Sequence, residues 1–140
     1  MSWVLDASMS LAWLFRRVNP VEASLADRAL AELPCAGADV PAIWYAEMAN
    51  GLLRGERMGV VSAQQVRFFQ SQLSEMHIEM DREHPRASSN AVVDFARKFG
   101  LTAYDATYLE LALRTGSTLA TFDAKLAGAM RQAGGRVFGD

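Results

Sequence analysis

Apolar and polar residues alternate along the chain in two different rhythms. Short apolar runs with strand character lie at residues 3–6, 39–41, 77–80, 118–122 and 136–138. Between them, apolar residues recur three or four positions apart, which predicts helices at residues 8–17, 20–33, 42–57, 63–74, 86–99, 103–114 and 124–133. Strands that alternate with helices form βαβ units, in which the strands are parallel and helices cover the sheet. We therefore expect an α/β fold with three layers, α/β/α, around a mostly parallel sheet of about five strands.

Length and composition predict a single domain over residues 1–140. The chain has 140 residues, of which 51% are hydrophobic, and it contains no repeat or linker-like segment. Its longest stretch without Asp, Glu, Lys or Arg is nine residues, well short of the roughly 20 that cross a bilayer. The N-terminus has no basic residue before Asp6, unlike a signal peptide. We therefore expect no membrane span and a cytoplasmic location.

The charge balance excludes a protein that coats nucleic acid by bulk charge. Fourteen basic and sixteen acidic residues give a net charge of -2 and a pI near 5.7. Twelve of the fourteen basic residues are Arg, which binds phosphate or carboxylate through two hydrogen bonds more readily than Lys does. Any recognition of nucleic acid must therefore use local groups of arginines.

Three aspartates lie where a predicted strand gives way to a helix, or where a helix begins. Asp6 and Asp123 each follow an apolar run, and Asp105 comes three residues after Thr102. All three can be explained as helix caps, with Thr102 and Asp105 as a pair resembling a capping box. However, the ends of parallel strands meet at one edge of a sheet, where active groups collect. The pattern alone leaves both interpretations open.

Glu47 is the only charged residue between Val40 and Leu53. A lone charge in an apolar helix is rare unless it is paired or functional. Asn50, Arg54 and Arg57 continue the same stripe of the helix. Glu47 therefore either pairs with Arg54 on a solvated face or contributes to a site, and Arg54 and Arg57 are candidate contacts for an anionic substrate.

The four acids have a clear chemical meaning if they converge. Such a cluster repels itself unless a cation is present, and carboxylate ligands select Mg²⁺ or Mn²⁺ rather than zinc. The corresponding chemistry is hydrolysis of a phosphodiester by a metal-activated water, which needs no side-chain nucleophile. Ser8 and Thr121 each lie two residues from an acid, where a hydroxyl can support a carboxylate or cap a helix.

Four segments of the chain resemble the successive motifs of PIN-domain ribonucleases, specifically VapC-type toxins. They are Val-Leu-Asp-Ala-Ser at 4–8, Pro-Ala-Ile-Trp-Tyr-Ala-Glu-Met-Ala-Asn at 41–50, Leu-Thr-Ala-Tyr-Asp-Ala at 101–106 and Ala-Thr-Phe-Asp at 120–123. By position, the resemblance implies that the catalytic, metal-binding acids are Asp6, Glu47, Asp105 and Asp123. It also implies that Ser8, Asn50 and Thr121 are supporting polar residues.

The same resemblance implies an activity and its partners. The chain would be an endoribonuclease toxin of a type II toxin–antitoxin system, with RNA as its substrate and Mg²⁺ or Mn²⁺ as its cofactor. It would form a homodimer, and the C-terminal segment of a VapB-type antitoxin would cover its active groove.

Other classes fit less well or differ in what they require. A haloacid-type phosphatase also has an Asp after its first strand, but it needs a second Asp where this chain has Ser8. A receiver domain needs an early pair of acids, and here Asp6 stands alone. A binding module without catalysis would keep the fold and use only its surface. Metal-dependent cleavage of RNA separates these alternatives.

Overall fold

The computed structural model describes residues 2–140, in which four strands alternate with seven helices. In chain order the elements are β1 (Trp3–Leu5), α1 (Ala7–Leu11), α2 (Pro20–Ala36), β2 (Ala38–Val40), α3 (Ile43–Arg57), α4 (Ala63–Ser74), β3 (Ile78–Met80), α5 (Pro85–Phe99), α6 (Ala103–Thr115), β4 (Thr118–Ala120) and α7 (Ala124–Gln132). Among these residues, no helix has the length and apolar character needed to cross a membrane.

The four strands form one parallel sheet in the order β3-β2-β1-β4, which confirms the predicted α/β fold. The predicted fifth strand at 136–138 is wrong, because that segment makes only an isolated bridge between Val137 and Leu119. Gly134 and Gly139, both with positive φ, bend the chain on either side of this bridge, so the pairing cannot extend.

The central strand β1 is buried along its whole length. All three of its residues are buried, as expected for a parallel strand with covered faces. Helix α6 contacts both β1 and β4 and contributes a run of buried residues, from Tyr108 to Ala112, to the same core. The end of β1 therefore delivers the next residue, Asp6, into a buried position.

Helix α1 is shorter than predicted, ending at Leu11 instead of residue 17. A turn follows, and the indole of Trp13 in this turn donates a hydrogen bond to the carbonyl oxygen of Ala26 in α2, at 3.0 Å. A tertiary contact thus replaces the last turns of the predicted helix. The sequence pattern could not reveal this, because the partner lies in another helix.

Two glycines of α3 allow α1 and the turn after it to approach closely. A Cβ atom on Gly51 would lie 2.5 Å from Cδ1 of Leu11, and one on Gly55 would lie 2.4 Å from the ring of Phe15. A side chain at either glycine would force the side chain of Leu11 or Phe15 to move. The end of α1 and the turn after it thus pack closely on α3, the helix that carries Glu47.

Candidate active site

Asp6 is buried at the end of β1 and is held by two hydroxyl groups. Ser8 and Thr121 each donate a hydrogen bond to its Oδ2 atom, at 2.6 Å. The same hydroxyls accept hydrogen bonds from the backbone N–H groups of Phe122 and Asp123, both at 2.9 Å. Because each hydroxyl oxygen already accepts a backbone proton, its own proton is free to point at Asp6. The end of β4 is thereby tied to the start of α1.

The three aspartates differ in whether they cap a helix. Asp6 occupies the N-cap position of α1, but its side chain makes no capping hydrogen bond. Asp123 does cap α7, since its Oδ1 accepts from the N–H of Leu126 at 2.8 Å. In α6 the capping group is Thr102, whose hydroxyl accepts from the N–H of Asp105 at 3.1 Å. Capping therefore accounts for Asp123 in part and does not account for Asp6.

Glu47 is half-buried and has a partner that the sequence pattern does not show. Its Oε1 atom accepts a hydrogen bond from the hydroxyl of Tyr108 in α6, at 2.8 Å. The residues that the structure describes include no ion pair between Glu47 and Arg54. The solvated helix pair with Arg54 does not form, and Glu47 faces α6 instead.

The four acids lie close enough to influence one another's ionisation. Burial raises the pKa of Asp6, and the charge of Asp123 raises it further, while the hydrogen bonds from Ser8 and Thr121 lower it. Burial also raises the pKa of Glu47, which the charges of Asp6 and Asp105 increase again. The pKa of Asp6 thus responds to one neighbouring carboxylate and that of Glu47 to two.

Asp105 completes this set from the first turn of α6. Burial raises its pKa, as do the charges of Asp123 and Asp6, whereas Thr102 and the cation of Lys125 lower it. Lys125 is the only cation among these influences on the acids. The cluster is therefore rich in negative charge with little compensation from the protein.

The donor set suits Mg²⁺ or Mn²⁺ in its chemistry. All four side chains offer hard oxygen ligands, and a cation between them would relieve their mutual repulsion. Within residues 2–140, no three His, Cys, Asp or Glu side chains stand close enough to form a ready metal cage. Mg²⁺ does not need one, because it keeps several waters and binds proteins through one or two carboxylates.

The other predicted residues are distributed unevenly around this acid cluster. Ser8 and Thr121 contact Asp6 directly, whereas Asn50 is exposed on α3 and its side chain makes no hydrogen bond to another described residue. Arg54 lines a groove between α1 and α3 that also contains Ser8. Arg57 is exposed and does not line this groove.

Sequence reasoning missed two residues of the site. Tyr108 lies three positions after Asp105 in α6, so helical spacing could have placed both on the same side of that helix. Arg17 lines both the α1–α3 groove and a second groove, between α2, α7 and residues 137–140, that contains Thr121 and Asp123. The position of Arg17 depends on the turn after α1. The hydrophobic pattern of the sequence does not predict that turn.

Comparison with known proteins places this geometry in a family. A family model described as the PIN domain matches residues 3–130. The chain belongs to the PIN-domain family. PIN domains are generally metal-dependent nucleases, which agrees with a set of carboxylates gathered beside the ends of β1 and β4. No curated protein matches the sequence significantly.

Two solved structures resemble this PIN domain over most of its length. The crystal structure of PAE2754 from Pyrobaculum aerophilum is 25% identical, with a TM-score of 0.68, and the match covers 92% of this chain and 86% of that one. The structure of FitAcB from Neisseria gonorrhoeae is 19% identical, with a TM-score of 0.63 and coverage of 96% and 95%. The second likeness concerns the fold alone.

Proposed function

We propose that this PIN domain is a metal-dependent endoribonuclease, acting in the cytoplasm as the toxin of a type II toxin–antitoxin pair. The observation that carries the proposal is the hydrogen-bonded placement of Asp6 beside the end of β4, where Thr121 holds Asp6 and the next turn begins at Asp123, with Glu47 and Asp105 near enough for neighbouring carboxylates to raise their pKa values. The family supports a metal-dependent nuclease. The choice of RNA and the role of toxin rest on the resemblance of the four motifs.

In this proposal the four acids surround Mg²⁺ or Mn²⁺, one or two of them binding the ion directly and the others through its waters. When bound, the ion supplies an activated water and offsets negative charge on the attacking and leaving oxygens of the phosphodiester. The protein's own groups set the geometry beforehand. Ser8 and Thr121 fix one oxygen of Asp6, and the N–H of Leu126 fixes one oxygen of Asp123.

Arg17 and Arg54 are the proposed contacts for the RNA backbone, with Arg57 one turn further along α3. Arg17 is held in place by Glu22, at 2.6 Å, and its guanidinium lies 4.7 Å from the ring centroid of Phe122. Arg17 lines both grooves beside the acids. An RNA strand that passes from one groove to the other would therefore contact Arg17. Arginine at such a point binds phosphate and offsets the repulsion from the acids.

Exposed apolar surface supports the proposed protein partners. The α1–α3 groove combines Arg17 and Arg54 with Met58 and Val60, whose exposed fractions are 69% and 62%. This mixture suits the apolar and acidic side chains of an antitoxin segment that covers the active groove. A separate apolar groove between α3, α4 and β3 is the proposed surface for the homodimer; Tyr45 in its lining is 49% exposed, whereas Trp44, Met48 and Leu52 form its buried floor.

Replacing Asp6 tests the proposed site. We expect Asp6→Asn to remove cleavage of single-stranded RNA, by more than the about 10- to 100-fold that loss of an outer-shell partner costs at a metal site. The control is Asp27→Asn, the same change at an exposed aspartate that pairs with Arg16. RNA labelled at either end, incubated with Mg²⁺, Mn²⁺ or EDTA, reports whether the cuts are internal and metal-dependent.

The possible results separate the alternatives. Normal cleavage by Asp6→Asn would exclude the acid cluster as the active site. Equal cleavage of DNA of the same sequence would keep the nuclease but not the RNA substrate. A wild-type protein that binds RNA in Mg²⁺ without cutting it would indicate a binding module.

A further inference from the structure

Tyr108 joins the acid cluster from inside the core. Its side chain is fully buried within α6, and only its hydroxyl group reaches the site. A buried hydroxyl is costly unless it is hydrogen-bonded, so the partners of this one define what it does.

The direction of its hydrogen bond to Glu47 is fixed. An ionised carboxylate can only accept, so the phenol proton goes to Oε1 of Glu47, at 2.8 Å. The hydroxyl of Tyr108 therefore connects α6 to α3 at the acid cluster.

Glu47 depends on this contact for its orientation. It is half-buried, it has a long side chain, and among residues 2–140 it makes no ion pair and has Tyr108 as its side-chain hydrogen-bond partner. Resting on the proposed function of the acid cluster, we propose that Tyr108 is a positioning residue that aims the carboxylate of Glu47 at the metal site.

This role differs from packing. Phenylalanine has the same ring and would fill the same space in the core, so the substitution Tyr108→Phe removes only the hydroxyl. If the ring alone mattered, the variant would bind metal like the wild type. If the hydroxyl orients Glu47, metal binding weakens while the fold persists.

The experiment measures Mn²⁺ affinity by calorimetry in the absence of RNA, and RNA cleavage as a function of Mn²⁺ concentration. For Tyr108→Phe we expect a loss of about 10- to 100-fold in Mn²⁺ affinity, as for other outer-shell partners. The Mn²⁺ concentration for half-maximal cleavage rises accordingly, and saturating Mn²⁺ restores most of the rate. The control is Tyr104→Phe, the same change at a residue of α6 that is 62% exposed, which should agree with wild type within about twofold.

A double-mutant cycle shows whether Tyr108 acts through Glu47. In a Glu47→Ala protein, adding Tyr108→Phe should change Mn²⁺ affinity by no more than about twofold, because the carboxylate to be oriented is gone. A full additional loss in that background would overturn the proposal, as would a Tyr108→Phe protein with wild-type affinity.

Two arrangements keep the test decisive. If Tyr108→Phe does not fold, Tyr108→Met replaces it, because methionine also lacks the hydroxyl and its flexible side chain fills irregular gaps in a core. It should show the same loss, and wild-type Mn²⁺ affinity would contradict the proposal. The Mn²⁺ affinities test Tyr108 even if the wild type cleaves no RNA, an outcome that would refute only the proposed function.

Discussion

Arg16 and Arg17 are neighbours in the chain but have different surroundings. Arg16 pairs with Asp27, and its side chain is 71% exposed. Arg17 pairs with Glu22, stacks on Phe122 and lines both grooves beside the acids. Two residues with the same chemistry therefore differ only in position, which makes them a matched pair for testing where RNA binds.

We expect Arg17→Ala to weaken binding of single-stranded RNA and to make it less sensitive to salt. Loss of one phosphate contact lowers the slope of log affinity against log salt by about 0.7. The measurement uses Asp6→Asn protein, so that the RNA stays intact during titration at several salt concentrations. Arg16→Ala should leave the slope unchanged, and equal changes for both variants would mean that Arg17 has no special place on the RNA path.

The raised pKa of Glu47 leads to a prediction about stability. Folding raises this pKa, mainly through burial, so the folded protein binds the proton more tightly than the unfolded chain does. The free energy of unfolding therefore decreases as pH rises from the ordinary carboxyl range through the raised pKa. In EDTA at neutral pH, Glu47→Gln should unfold at the same temperature as wild type or at a higher one. The difference should vanish as the pH approaches the ordinary carboxyl range.

Mn²⁺ should reverse the order of the unfolding temperatures of wild type and Glu47→Gln. Mn²⁺ that binds only the folded state adds about 2.7 kcal/mol at a concentration of 100 times Kd, and Glu47→Gln should gain less than wild type. Thermal unfolding of both proteins, with EDTA and with Mn²⁺ across a pH series, checks both signs. A destabilised Gln variant in EDTA, together with indifference of both proteins to Mn²⁺, would mean that Glu47 has an ordinary structural role.

At the scale of elements, the site depends on how tightly α1 packs on α3. Gly51 and Gly55 let the side chains of Leu11 and Phe15 pack directly on α3, so the end of α1 and the turn after it lie against the helix of Glu47. The helix α1 itself has only five residues, too few to be stable alone. Its position, and with it that of Ser8, comes from its neighbours.

The sequence predicted the elements whose signals are local. Apolar strand runs followed by an acid located β1 and β4, and the stop and start residues located the longer helices within a few positions. The four acids could be selected because each stands at an element end or alone in an apolar helix. That part of the site required no knowledge of distant contacts.

The remaining features depend on contacts between distant residues. Tyr108 and Glu47 are 61 positions apart, so their hydrogen bond leaves no pattern in the chain. The early end of α1 follows from the bond between Trp13 and Ala26, and the missing fifth strand follows from turns that restrict it to one bridge. A pattern of hydrophobicity records which residues are buried but not which ones meet.

At the scale of the whole molecule, a protein with a net charge of -2 is proposed to bind an anionic polymer. The cluster of acids adds to the repulsion at the point of cleavage. Binding must therefore rely on the bound cation and on Arg17 and Arg54 rather than on an overall attraction.

Expression in bacteria tests the proposed role of the whole molecule. We expect the wild-type protein, expressed alone, to arrest growth, and Asp27→Asn to do the same. Asp6→Asn should permit growth, and co-expression of the neighbouring antitoxin gene should relieve the arrest by wild type. Colony counts after induction measure the effect. Arrest by Asp6→Asn equal to that by wild type would show that toxicity does not come from this site.

The bond between Asp6 and Thr121 spans 115 positions of the chain, and this has a consequence for synthesis. A ribosome adds about 5 to 20 residues per second, so about 6 to 23 s separate the making of these two partners. During that interval the strand β1 has no β4 beside it, and Asp6 lacks the hydroxyl that β4 supplies. A translation product that stops before Thr121 would also lack Asp123. On the proposed function, the nascent chain therefore acquires its full set of acids only once Asp123 has been added.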